Sequence, residues 1–156
     1  MTSVKTTLGR RVNHCHIAHD PCRPELTGGE IAEARAMALE INSDAIEISP
    51  PTTGFNCHGF TYAESHGWFN HPDRFFEDDF DQMSLASAQV DDVVIYTDED
   101  TLMHSARITR VVSGQIVELH SKWGELAVLA HSLTGVPDEY GEPSHIVRRR
   151  EAPGDE

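Results

Sequence analysis

The run from Val93 to Trp123, VVIYTDEDTLMHSARITRVVSGQIVELHSKW, decides the fold class. Three stretches rich in β-branched and aromatic residues, VVIYT, HSARITRVV and QIVELHS, are separated by an acidic break and by Ser113-Gly114. β-Branched side chains pack well on a pleated surface, and glycine tolerates the positive φ that a tight hairpin turn requires. The stretches therefore read as consecutive antiparallel strands. Pairing counted outward from Ser113-Gly114 sets His120 opposite Arg107 and His104 opposite Trp123, so two histidines start near each other on adjacent strands. Sharing one face would give them a direct contact.

Working outward, LAVLAHS and HIVRRR add two apolar segments, set apart by Gly135-Val136-Pro137 and Tyr140-Gly141-Glu142-Pro143. An antiparallel sheet of about five strands follows. Upstream, Thr27 and Glu30 have the capping-box spacing immediately before IAEARAMALEI. That segment is predicted to be a helix, with Ile31, Ala34, Ala38 and Ile41 on one side and Glu33, Arg35 and Glu40 turned outward. After the short alternating stretch Ala45 to Ile48, Pro50-Pro51-Thr52-Thr53-Gly54 forces a turn, and a second helix is expected to open near Asn56. Helices first and an antiparallel meander afterwards make an α+β domain over 27–150, with an arm over 1–26 and a tail over 151–156.

The chain has 156 residues, with 26 acidic side chains against 12 lysines and arginines, a formal net charge of −14. Such an excess repels nucleic acid and anionic membrane surfaces, so neither is an expected partner. Three cysteines, Cys15, Cys22 and Cys57, are too few and too odd in number for a secreted disulfide framework. The first twenty residues carry basic side chains but no apolar run of signal-peptide length, and nowhere is there a stretch of about 18 apolar residues. A cytoplasmic location, or export without a cleaved signal, is the expectation.

Asn56-Cys57-His58-Gly59-Phe60-Thr61 is the sharpest local feature. A cysteine in the first turn of a helix meets free backbone N–H groups and the positive end of the helix dipole, which favour thiolate over thiol and afterwards suit an oxyanion. A nucleophilic cysteine also needs a general base and a group to orient that base. Strand-borne His104 and His120 are suited to these two tasks.

The same six residues resemble the D-C-S-G-F-V signature of the NlpC-type cell-wall endopeptidases, a papain-like cysteine peptidase family. Asp92-Val93-Val94-Ile95-Tyr96 is similar to that family's G-D-hydrophobic strand, and Met103-His104-Ser105-Ala106-Arg107-Ile108 to its H-V-G-I strand. The resemblance spans about residues 54–123. It implies a papain-like fold and a Cys57, His104, His120 triad that cleaves an amide through a thioester, with no cofactor. It also implies a peptide or peptidoglycan-like substrate met by Asn56, His58 and Trp123. Asn56 stands where the family has Asp, His58 where it has Ser, and Arg107 where a small residue is usual; these departures bear on substrate identity. Ser121-Lys122-Trp123-Gly124 further resembles a motif of small bacterial proteins of unknown function that pair it with an N-C dipeptide. An acyltransferase or deamidase would use the same triad, and a non-enzymatic or metal-binding papain-fold protein is the rival from another class.

His14-Cys15-His16, His19 and Cys22 offer the alternative of a zinc clip, with Cys15, His16, His19 and Cys22 as ligands, although C-x6-C is not a common zinc spacing. Trp68 and Phe69 suit either a cleft wall or the core. Between Asp73 and Asp100 ten carboxylates face one arginine, a run expected to be solvated and to be balanced in part by Arg148, Arg149 and Arg150.

Overall fold

A computed structural model describes residues 26–52, 56–62, 77–123 and 126–150. The arm, its Cys15, His16, His19 and Cys22, the aromatic pair Trp68 and Phe69, and the tail over 151–156 lie outside the described residues.

Helix α1 (Gly28–Ile41) begins where its cap residues dictate. Thr27 Oγ1 accepts from the Glu30 N–H at 3.2 Å and Glu30 Oε1 accepts from the Thr27 N–H at 2.9 Å, so two otherwise orphaned donors are satisfied reciprocally. Ala34 and Ala38 are its buried residues, whereas Met37, Leu39 and Ile41 stay exposed. The helix is followed by β1 (Ile46–Ser49), α2 (Cys57–Tyr62), β2 (Phe80–Met83), β3 (Val93–Asp98), β4 (Thr101–Val112), β5 (Gln115–Lys122), β6 (Val128–His131) and β7 (Glu142–Arg149). One-turn 3₁₀ segments occupy Leu85–Ser87 and Asp138–Tyr140.

All seven strands belong to one antiparallel sheet in the order β1-β6-β5-β4-β3-β7-β2, so the class is α+β. The five strands expected from sequence are β3 to β7, and β1 and β2 are additional. Both additions are four residues long, and β2 lies inside the acid-rich run. Its stability comes from β7, against which Asp81 is registered with Arg148 and Phe80 with Arg149.

The hairpin joining β4 and β5 turns on Ser113 (φ 51°) and Gly114 (φ 77°), two successive positive φ values as a type I′ turn requires. Its register sets Arg107 opposite His120 and Ile108 opposite Leu119. Since successive side chains of a strand point to opposite faces, Ile108 and Leu119 face the core with Val94, Tyr96, Ala106, Leu129 and Ile146.

Arginines of β7 neutralise part of the acidic run. Arg148 makes a two-pronged contact with Asp92, Nε to Oδ1 at 2.9 Å and Nη2 to Oδ2 at 2.8 Å, and the Asp92 carboxylate is buried. Arg150 donates to Asp81 at 2.8 Å on the surface. Gly141 (φ 78°) opens the way into β7 because a Cβ there would run into the Thr97 carbonyl. Among the described residues no helix is long and apolar enough to cross a membrane.

Candidate functional site

Cys57 is the first residue of α2, whose opening turn is closed by the Phe60 N–H donating to the Asn56 carbonyl at 2.8 Å. Asn56, Cys57 and His58 are all buried. Burial pushes the Cys57 thiol up to about 11, against the opposing pull of the backbone N–H groups of Ser105, His58 and Cys57 and of the Lys122 charge. Desolvation thus opposes the thiolate that the helix terminus was expected to favour. The Ser105 N–H belongs to the peptide unit that joins it to His104. Strand N–H groups lie in the plane of the sheet, so the thiol sits between the two faces.

His104 is fully buried on β4. Its ring is stacked on Tyr140 at 4.1 Å between centroids and 8° between planes, and Tyr96 lies tilted against it at 5.3 Å. Among the described residues neither Nδ1 nor Nε2 has a hydrogen-bond partner. Burial, with the like charges of His131 and His58, holds its pKa well below the usual histidine range. A buried imidazole with both nitrogens unmet is costly, and such groups concentrate where a ligand or reacting atom is to be met.

His120 does not join it. The register places His120 opposite Arg107, three residues from His104 along an unbroken stretch of β4, so the two imidazoles point to opposite faces. His120 Nε2 instead lies 3.4 Å from Glu118 Oε1 near the surface. The expected Cys57, His104, His120 arrangement is corrected on this point.

Ser121 and His131 share the face of His104. His131 Nδ1 lies 2.7 Å from the Ser132 carbonyl, which can only accept, so in the neutral ring Nδ1 carries the proton. Nε2 is then an acceptor and takes the Ser121 hydroxyl proton at 2.6 Å, while Ser121 Oγ accepts from Trp123 Nε1 at 3.1 Å. Burial depresses His131 to about 4. Trp123, expected to meet substrate, is 1% exposed and belongs to the core.

On the opposite face, His58 Nδ1 lies 2.9 Å from Ser105 Oγ, and the Arg107 guanidinium rests over the Phe60 ring at 5.0 Å. Lys122, fully buried at the end of β5, donates from Nζ to the Thr52 carbonyl at 2.7 Å and so tethers the segment that leads into Cys57. Ser121 and Lys122 enter the sequence reading only as part of the Ser121-Lys122-Trp123-Gly124 motif, with no role assigned to either, and His131, expected to be a satisfied or exposed histidine without a matching partner, is bonded to Ser121. The signal was there in Ser121-Lys122-Trp123, a polar pair continuing a strand straight into tryptophan. Among the described residues no three of His, Cys, Asp and Glu converge on a point able to hold a metal ion.

Fold and site define an antiparallel α+β domain with a buried cysteine and histidine cluster at the ends of β4 and β5. The chain belongs to the family described as Domain of unknown function (DUF7689), whose profile matches residues 46–148. That span runs from β1 to β7 and contains Cys57, His104, Ser121 and His131. No curated protein and no solved structure matches the chain.

Proposed function

We propose that the protein is a cysteine hydrolase of papain-like ancestry that cleaves an amide bond, with Cys57 as nucleophile and His104 as general base. One observation carries the reading: the thiol faces the peptide unit that follows His104, whose fully buried imidazole has no hydrogen-bond partner on either nitrogen among the described residues. The chain order, a cysteine opening a helix and then antiparallel β3, β4 and β5, is that of the papain-like group the sequence resembles.

A raised thiol and a depressed imidazole favour the neutral pair over a thiolate and imidazolium pair. Proton transfer then accompanies attack. The Cys57 proton passes to a ring nitrogen of His104 as the sulfur bonds to the acyl carbon. The N–H groups of Cys57, His58 and Ser105 are the donors for the oxyanion. Collapse breaks the C–N bond, and the imidazolium returns the proton to the departing amine. Water, activated by the same imidazole, releases the acid and regenerates the thiol. In apo structures such contacts are commonly longer than in the substrate complex.

The test is hydrolysis of a library of fluorogenic peptide amides by the full chain and by Cys57→Ala, His104→Ala and His120→Ala, with hydroxylamine trapping of the acyl-enzyme. Turnover is expected to vanish in Cys57→Ala, to fall by about a hundredfold or more in His104→Ala, and to persist in His120→Ala. Loss in His120→Ala with retention in His104→Ala would overturn the assignment, as would turnover in Cys57→Ala. Adding a competing amine distinguishes acyl transfer from hydrolysis by the product formed.

A further inference from the structure

A groove of about 390 Å³ opens where α1 meets Trp123 and the Asp138–Tyr140 turn. Its floor is apolar: Met37 and Ile41 from α1, with Trp123 and Tyr140 on the side of the candidate site. Met37 is 53% exposed and Ile41 38%, an unusual outlay of large apolar surface on a helix whose inward face holds only two alanines. Tyr140 is the ring stacked on His104, and Trp123 donates to Ser121, so the wall of this groove is also the roof of the buried cluster.

The rim has one sign of charge. Glu30, Glu33 and Glu139 line it, and no lysine or arginine does so among the described residues. Glu30 is held ionised by the Thr27 backbone N–H and hydroxyl that it caps. Glu33 and Glu139 make no ion pair among the described residues, in contrast to Asp92 and Asp81, which are matched by arginines of β7. An apolar trough edged by unmatched carboxylates complements a side chain with an aliphatic stem and a cationic head.

We infer that this groove is a substrate subsite for a lysine or arginine side chain of the peptide presented to Cys57. The inference rests on the hydrolase reading for the fate of the peptide, and on the groove alone for its recognition. The stem lies across Met37 and Tyr140 while the ammonium or guanidinium reaches Glu33 and Glu139. A basic residue is thereby held beside the ring that covers His104, and an acidic one is repelled.

Recognition is separable from chemistry in the full-length Cys57→Ala protein, which cannot turn over. Fluorescein-labelled pentapeptides of alanine and leucine, with a central lysine, norleucine or glutamate, are titrated by anisotropy. The lysine peptide is expected to bind about tenfold more tightly than the norleucine peptide at low salt, and the glutamate peptide most weakly. The gap should close in Glu33→Gln combined with Glu139→Gln, and should shrink in about 0.5 M salt. Glu30 is left intact because it caps α1, and a thermal melt checks that the double variant is folded.

Equal binding of the lysine and norleucine peptides, no saturable binding of any of the three, or a preference that survives the double substitution would each overturn the subsite. A lysine preference in Cys57→Ala without turnover by the intact protein would overturn the hydrolase reading and leave the subsite standing. Turnover without that preference would do the reverse.

Discussion

His131 is held in one tautomer by a carbonyl on Nδ1 and a hydroxyl on Nε2, and that bonding has a price in acid. Its folded pKa, about 4, lies below the ordinary value of 6.5, so between these values the unfolded chain binds the proton more readily than the folded one. Stability contributed by the neutral ring is complete above pH 6.5 and is lost as pH falls towards 4. A shift of this size corresponds to roughly 3 kcal/mol. His104, which burial also holds well below the usual histidine range, adds to the loss in the same direction. Urea unfolding at pH 7.5 and pH 4.5 should therefore give a markedly lower midpoint in acid, and His131→Gln should flatten that dependence while lowering stability at neutral pH. A dependence unaltered by the substitution would show that other groups govern it.

At the scale of elements, β7 is fastened to the acidic run by Arg148. Among the described residues, removing its guanidinium leaves the buried Asp92 carboxylate with only the Gln89 N–H as a hydrogen-bond donor, at 2.9 Å. Arg148→Met should cost clearly more stability, because it strands a buried carboxylate, than Arg150→Met, which breaks an exposed pair with Asp81. Chemical denaturation of the two variants measures the difference, and equal losses would contradict it. The same pairings explain which strands were legible in the sequence. β3 to β7 announce themselves by β-branched runs and turn residues, because their side chains meet the core directly. β2 does not, since Phe80-Asp81-Gln82-Met83 is a strand only by virtue of β7, a partner far along the chain that sets Phe80 against Arg149. The site was legible to a similar depth. Cys57 at a helix start and the Arg107 to His120 register follow from local signals, and the odd separation between His104 and Arg107 already implied opposite faces for the two histidines. The Ser121 to His131 bond did not follow, because it depends on β6 lying beside β5.

Across the whole molecule, a formal charge of −14 repels itself in the compact state more than in the unfolded one. Screening should relieve that repulsion. Raising salt from low ionic strength to about 0.5 M is expected to lift the thermal midpoint by roughly 2–5 °C, with the Arg148 and Arg150 pairs losing less than the surface carboxylates gain. A midpoint that falls with salt would mean that the ion pairs dominate.

The strand order has a consequence for how the chain comes to be built. β4, β5 and β6 can each pair with the preceding strand as they emerge in sequence; β1 waits for β6, where Ile46 meets Ala130, and β2 waits for β7, where Phe80 meets Arg149. Each flank of the sheet is thus closed by the last strands to be synthesised. Until residues 128–149 have left the ribosome, the meander has both of its sides open, and Ile46 and Ile48 have no strand to lie against. Closing loops of this length precedes the contacts that reward it, so folding is limited by the C-terminal strands. A nascent chain halted before β6 would hold Cys57 and His104 without Ser121's partner, and one halted before Tyr140 would lack the ring that covers His104. The cluster takes its final form only when the chain is nearly finished.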